Sequence, residues 1–283
     1  MAKVFLNGKI VEDTAAHVSI SDSGFLYGMG LFETMRAAGG KVFALDDHLD
    51  RLFASIAALG LKNVCDREYV TKAIHKTLKA NKLKNARLRL TLTNGPVAAE
   101  SENPTLLITA TDFQPYPPEY YKDGVRAVIT DCRQNATEPT AGHKTTDLFS
   151  RLHVLNEAHK KKAAEALWFT TENILAEGCV SNVFLAKDGI LYTPRLETPV
   201  LPGITRKTIL RIAPDEQIEV VEKDLTIQDV LAADEIFLTN VVMLVLPVIQ
   251  VEARAIGEGK PGEITKKILA ALQNEVSARG EKK

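Results

Sequence analysis

Three cysteines, Cys65, Cys132 and Cys179, are all that the 283 residues hold, widely spaced and without a CxxC pair. That argues against a disulfide framework and a cysteine zinc site, and it fits a reducing compartment, so a cytoplasmic location is expected. A surplus of either charge is also missing: 35 Lys and Arg against 36 Asp and Glu leave a formal net charge of -1. Nothing in that balance points to nucleic acid or a membrane surface as a partner. No apolar run is long enough to span a bilayer, and the first residues, "MAKVFLNGKI", carry no apolar core of signal-peptide length. Internal repeats and low-complexity blocks are lacking, and only the tail "ARGEKK" reads as frayed. With 45% hydrophobic and 25% charged residues, the composition is that of a globular protein of one large domain or two moderate ones.

The pattern along the chain predicts two α+β halves. "VFLNGKIVE" reads as a hairpin, because Asn7-Gly8 takes the positive φ of a tight turn, and "LFETMRAAGGKVFAL" repeats the logic at Gly39-Gly40. Over 46–61 the spacing turns helical: Leu49, Leu52, Phe53, Ile56 and Leu59 form a stripe, with Asp46 or Asp47 as N-cap and Gly60 as stop. "VTKAIHKTLKANKL" predicts a second helix, and "ARLRLTLTNG" and "TLLITATDF" predict strands. The proline-rich "QPYPPEYYKDG" (114–124) is expected to be a linker outside any helix. The domains expected are therefore 1–113 and 125–283. In the second, a helix from about Asp147 to Lys162 is expected to bury Leu148, Leu152, Leu155 and Ala158. The segments "EALWFTTEN", "SNVFLAKDG" and "ILYTP" predict strands, "LPGITRKTILRIA" a helix starting at Gly203, and "DEIFLTNVVMLVLPVIQV" one or two buried strands.

Several residues invite a chemical reading. Lys144, in "AGHKTTDLF", taken alone is a solvated charge; with small and hydroxyl neighbours before a helix it is also a candidate Schiff-base amine. Glu177 is a loop carboxylate or the partner of a pyridinium nitrogen. "LPGITR" is an ordinary turn or, with helix-start amides and the Thr205 hydroxyl, an anion cradle. Arg51 lies beside an apolar helix stripe and is either a surface charge or a phosphate ligand. Strand alternation puts Phe32, Thr34 and Arg36 on one face, and Arg87 and Arg89 on one face, either toward solvent or toward a bound carboxylate.

The order of these pieces, "GFLYGMGLFETMR", "FALDDHLDRL", "GHKTTDLF", "AEGCVSNVFLAKDGILYTP", "LPGITR" and "DEIFLTNVVMLVLPV", runs over nearly the whole chain. It resembles the fold-type IV, or class IV, pyridoxal 5'-phosphate (PLP) enzymes: branched-chain and D-amino-acid aminotransferases and aminodeoxychorismate lyases. The resemblance implies a small α+β N-terminal domain and a larger C-terminal α/β barrel-like domain. PLP is the implied cofactor, lying between the domains, and a homodimer is the implied assembly. It implies that Lys144 forms the Schiff base and moves the substrate proton. Glu177 would meet the pyridine nitrogen, and Arg51, Ile204, Thr205, Asn240 and Val241 would hold the phosphate. Tyr27, Phe32, Arg36, Arg89 and Val242 fall on the substrate side.

The pattern also departs from its relatives. Phe149 stands where branched-chain aminotransferases usually carry a tyrosine, and "TNGPVAAE" lacks the Arg-x-His of D-amino-acid aminotransferases. "FETMR" and "LTNVVM" look more like the lyases, yet residues 96–100 hold no arginine for a chorismate carboxylate. The expected activity is amino transfer between an amino acid and a 2-oxo acid, with glutamate/2-oxoglutarate as one pair. The alternative is 4-amino-4-deoxychorismate lyase, which releases pyruvate and 4-aminobenzoate.

Overall fold

A computed structural model describes residues 1–62, 65–97 and 104–281. Much of the loop 94–103 and the last residues of the tail lie outside the described residues. The chain divides into two compact units. One holds Met1–Gln114, His143–Asp147 and the end of the chain from Val276; the other holds Pro115–Gly142 and Leu148–Glu275.

The first unit opens with the hairpin β1 (Lys3–Leu6) and β2 (Lys9–Glu12), turned by Asn7 and Gly8 at φ 46 and 93. Next come α1 (Ser23–Tyr27), β3 (Gly30–Ala38) and β4 (Lys41–Val42), with the last two joined through Gly39 and Gly40 as expected. Then follow α2 (Leu45–Ala58), α3 (Arg67–Asn81), β5 (Ala86–Thr93) and β6 (Thr105–Asp112). The sheet order is β2-β1-β6-β5-β3-β4, with every pair antiparallel. Alternation decides its faces. Ala86, Leu88, Leu90 and Leu92 of β5 join Leu49, Leu52 and Ile56 of α2 and Ile74 and Leu78 of α3 in one core. The intervening Arg87, Arg89 and Thr91 turn to the other face, and a one-residue slip would drive the arginines inward. At α2 the cap differs from expectation. Ala44, left-handed at φ 48, precedes the helix, while Asp46 and Asp47 lie in its first turn, where the helix dipole favours acids.

The second unit contains α4 (Pro118–Lys122), β7 (Val125–Gln134), α5 (Phe149–Lys160), β8 (Glu165–Thr170), β9 (Leu175–Gly178), β10 (Asn182–Lys187) and β11 (Ile190–Pro194). It continues through α6 (Ile204–Ile212), β12 (Val220–Lys223), α7 (Ile227–Ala232), β13 (Glu235–Asn240), β14 (Leu244–Val251) and β15 (Arg254–Ala255), and α8 (Glu263–Glu281) closes the chain. The sheet order is β12-β11-β10-β13-β14-β7-β8-β9, with β15 on β14. Strand β9, at one end of the order, packs on β10 and β11 near the other, so the sheet curls on itself.

Three expectations need correction. The segment 114–124 is not a helix-free linker: Pro118 starts α4 at a first-turn position, where its missing N–H costs nothing. The Tyr121 hydroxyl donates to the Met243 carbonyl at 3.0 Å, fastening α4 to the second unit. Residues His143–Asp147, taken from sequence as part of the C-terminal domain, belong to the first unit. Main-chain pairing with β3 explains this: Phe32 N donates to Lys144 O at 2.9 Å and Thr146 N to Gly30 O at 2.8 Å. Helix α5 buries Val154 and Ala158, one turn apart, whereas Leu152 is exposed.

Candidate active site

In the first unit, Lys144 lies in a short extended strip on the edge of β3. The Leu31–Thr145 bridge and the Thr146 hydroxyl, which donates to Gly28 O at 2.7 Å, hold that strip. Gly30 allows the approach, since a Cβ there would meet Leu92 O at 2.9 Å and Thr146 Oγ1 at 3.0 Å. The lysine amine stands 4.5 Å from the centre of the Phe32 ring, and the Arg89 guanidinium stands 3.9 Å from the same ring. Arg89 faces Thr34 on β3 and Thr109 on β6, and Arg36 faces Arg87 directly across the strands. The Arg36 guanidinium lies 4.0 Å over Phe113. Like charges opposed across a sheet repel. Burial, and then the Arg87 charge, pull the Arg89 pKa below its ordinary value. The Arg89 guanidinium and the Lys144 amine thus rest against one ring on this face, where Arg36 and Arg87 add positive charge. Tyr27, at the end of α1, is largely exposed.

On the opposite, buried face of β3 lies Glu33, which sequence analysis left out. Arg51 grips it with Nε on Oε1 at 2.8 Å and Nη2 on Oε2 at 2.6 Å. His48 Nδ1 is 2.7 Å from Oε2. Burial by itself would raise the Glu33 pKa, but the Arg51 charge and the His48 hydrogen bond outweigh it and hold the carboxyl at about 2. Burial pushes the His48 pKa below its ordinary value, against the opposing pull of Glu33. A signal was present in the sequence: Glu33 occupies a core position of the β3 alternation, between Leu31 and Met35.

In the second unit, Glu177 is buried at the end of β9. Arg151 Nη2 donates to its Oε1 at 2.7 Å and Leu201 N to its Oε2 at 3.0 Å. Arg151 also donates to the Gly178 carbonyl at 3.0 Å, so one side chain from α5 orders the turn after Glu177. Sequence reading missed Arg151, because nothing in the helical spacing of α5 marks it.

Leu201 leads into α6, whose N-cap is Gly203 without a side-chain cap. A Cβ at Gly203 would lie 1.8 Å from Asn182 Oδ1, so only glycine keeps Asn182 in place to donate to Leu201 O at 2.9 Å. Thr205, 2% exposed, carries a buried hydroxyl with no partner among the described residues. An orphaned hydroxyl beside uncapped helix amides fits a bound phosphate. Asn240 closes the turn after β13: its Oδ1 accepts from Val242 N and Met243 N, both at 2.9 Å. Val241 is buried in that turn. In the first unit, Phe32, Arg36 and Arg89 share one sheet face with the Lys144 amine against Phe32, while Arg51 lies against Glu33 on the opposite face; Glu177, Ile204, Thr205, Asn240, Val241 and Val242 lie in the second unit.

The family model described as amino-transferase class IV matches residues 30–251, and the chain belongs to that family. It is 34% identical over 274 residues to a "Putative branched-chain-amino-acid aminotransferase" of Methanocaldococcus jannaschii, covering 94% of this chain and 93% of the relative. It is 30% identical to the D-alanine aminotransferase of Bacillus licheniformis, covering 97% of each chain. It is also 30% identical to the aminodeoxychorismate lyase of Bacillus subtilis, covering 96% of this chain and 94% of the relative. Among solved structures, the Escherichia coli branched-chain amino acid aminotransferase superposes with a TM-score of 0.93 at 26% identity, covering 100% of this chain and 97% of that one. The T.th. branched-chain amino acid aminotransferase complexed with N-(5'-phosphopyridoxyl)-L-glutamate gives 0.91 at 25% identity, covering 98% and 95%. The two-domain α+β, fold-type IV architecture implied by the sequence is the one these structures share.

Proposed function

We propose that this chain is a PLP-dependent aminotransferase that moves an amino group between an amino acid and a 2-oxo acid, with glutamate/2-oxoglutarate as one pair. The observation that carries this reading is the Phe32 ring, against which both the Lys144 amine and the Arg89 guanidinium rest. A carboxylate held by Arg89, with Arg36 on the same sheet face, brings an acidic amino acid to the lysine. The solved relative bound to phosphopyridoxyl-glutamate supports both the cofactor and this donor.

When bound, PLP supplies a carbonyl that takes up the substrate amine and a ring that draws electrons from its Cα. Lys144 would hold the cofactor through its amine and, once displaced by substrate, would carry the proton from the substrate Cα to C4′ of the cofactor. Glu177, fixed by Arg151 and Leu201, accepts the hydrogen bond of the pyridine nitrogen. The Thr205 hydroxyl, the amides of Ile204 and Thr205, the Asn240–Val241 backbone and Arg51 hold the phosphate. Phe32, Tyr27 and Val242 border the substrate. Phe149 cannot supply the hydroxyl that a tyrosine there would give.

Addition of L-glutamate to the PLP-loaded protein is expected to bleach its visible absorbance band, and a 2-oxo acid is expected to restore it. A band that no L- or D-amino acid shifts would reject amino transfer. Release of pyruvate from 4-amino-4-deoxychorismate would then establish the lyase.

We infer a homodimer as the assembly. Segment 20–29 exposes Ile20 (84%), Phe25 (73%) and Tyr27 (64%) together with Met29, a concentration of apolar surface that a second copy would cover. Phe25→Asp is expected to sediment as a monomer where the parent sediments as a dimer. A monomeric parent, or a dimeric variant, would reject this surface as the interface. Among the described residues no helix is long and apolar enough to cross a membrane, and all three cysteines are free. We infer the cytoplasm as the compartment, which cell fractionation reads directly.

A further inference from the structure

The carboxylate that this reading leaves unused is Glu33. It is 1% exposed on the core face of β3 and faces two basic side chains of α2, Arg51 and His48. A buried ion pair is a poor source of stability, because desolvation of its members consumes most of the attraction between them. Its return is geometric. Arg51 is a long side chain with many rotamers, and the bidentate contact to Glu33 fixes the plane of its guanidinium. With Nε and Nη2 engaged, Glu33 rather than the flexible stem sets the direction of the rest of the guanidinium. His48 completes the arrangement. Its Nδ1 lies 2.7 Å from Oε2, so a second contact fixes the carboxylate that faces Arg51.

We propose that Glu33, backed by His48, is a positioning residue for the cofactor phosphate, acting through Arg51, which it orients before the cofactor arrives. The proposal rests on the assignment of Arg51 to the phosphate made above. Glu33 itself touches no reacting atom. Its effect therefore falls on the phosphate and spares the ring of the cofactor.

The test titrates the full-length, cofactor-stripped protein with PLP and separately with pyridoxal, the same ring without phosphate, and compares the two dissociation constants. Glu33→Gln is expected to weaken PLP about tenfold or more, the scale of a lost charge-assisted bond, and to leave pyridoxal unchanged. His48→Asn, whose amide can donate from the Nδ1 position, is expected to keep the parental preference for PLP. If Glu33→Gln does not fold, Glu33→Asp decides: it keeps the charge, draws the carboxylate back by one methylene and is expected to lose PLP preference to a smaller degree.

Arg51→Met separates the two layers of the argument. If it removes the preference for PLP while the Glu33 variant keeps it, the positioning role is overturned and the Arg51 assignment stands. If Arg51→Met itself keeps the preference, the phosphate assignment falls, and the role of Glu33 falls with it. Equal weakening of PLP and pyridoxal in the Glu33 variant marks a purely structural residue and also overturns the proposal.

Discussion

Lys144→Ala is expected to lose amino transfer by about 10³-fold or more, because the variant removes both the Schiff-base amine and the base at Cα. The fold should survive. The strip that carries Lys144 is held by main-chain bonds to Gly30 and Phe32 and by the Thr146 hydroxyl, none of which involves the lysine amine. Turnover at saturating amino donor and oxo acid measures the loss. Borohydride reduction followed by peptide mass spectrometry locates the covalent attachment, which should disappear from the peptide containing residue 144. Full turnover by this variant, or attachment at a different lysine in the parent, would remove Lys144 from its role.

Glu177→Gln is expected to lower kcat by about 10²-fold, the scale of one removed electrostatic contact at a reacting group. The neutral amide cannot match the charge that forms on the pyridine nitrogen. The structural cost is separable. The carboxylate uses both oxygens, one toward Arg151 and one toward Leu201 N. An amide keeps a single acceptor, so one of these donors loses its bond at roughly 1–3 kcal/mol. The thermal midpoint should therefore fall modestly while kcat falls steeply. An unchanged kcat, or a collapse of the fold that accounts for all lost activity, would reject the pairing of Glu177 with the ring.

Much of the architecture was legible because local rules and the global fold agree. Asn7-Gly8 and Gly39-Gly40 turn hairpins because they accept positive φ, and β5 is a strand because its leucines alternate with arginine and threonine. The same alternation identified Arg36, Arg87 and Arg89 as the polar face. Where the sequence misled, a local rule met a tertiary use. The prolines of 114–124 suggested a helix-free linker, yet proline also starts helices, and Tyr121 fastens α4 to Met243 just before β14. Of the face expected for α5, Ala158 is buried and Leu155 packs against the core, but Leu152 is exposed and Val154 is buried instead, because the position of β7 and β8 chooses the face.

The sequence by itself determined the family, the order of the strands along the chain and the residue types available for chemistry. Turn chemistry, periodicity and the ordered motifs are all local in the chain. Only the tertiary structure decided that Lys144 leaves its sequence neighbours to pair with β3, that Arg151 and Leu201 hold Glu177, and that Glu33, Arg51 and His48 meet in one buried network. Those residues are far apart along the chain, and no period of 2 or 3.6 residues encodes which of them come within hydrogen-bonding distance. That choice is made by the packing of whole strands and helices on one another.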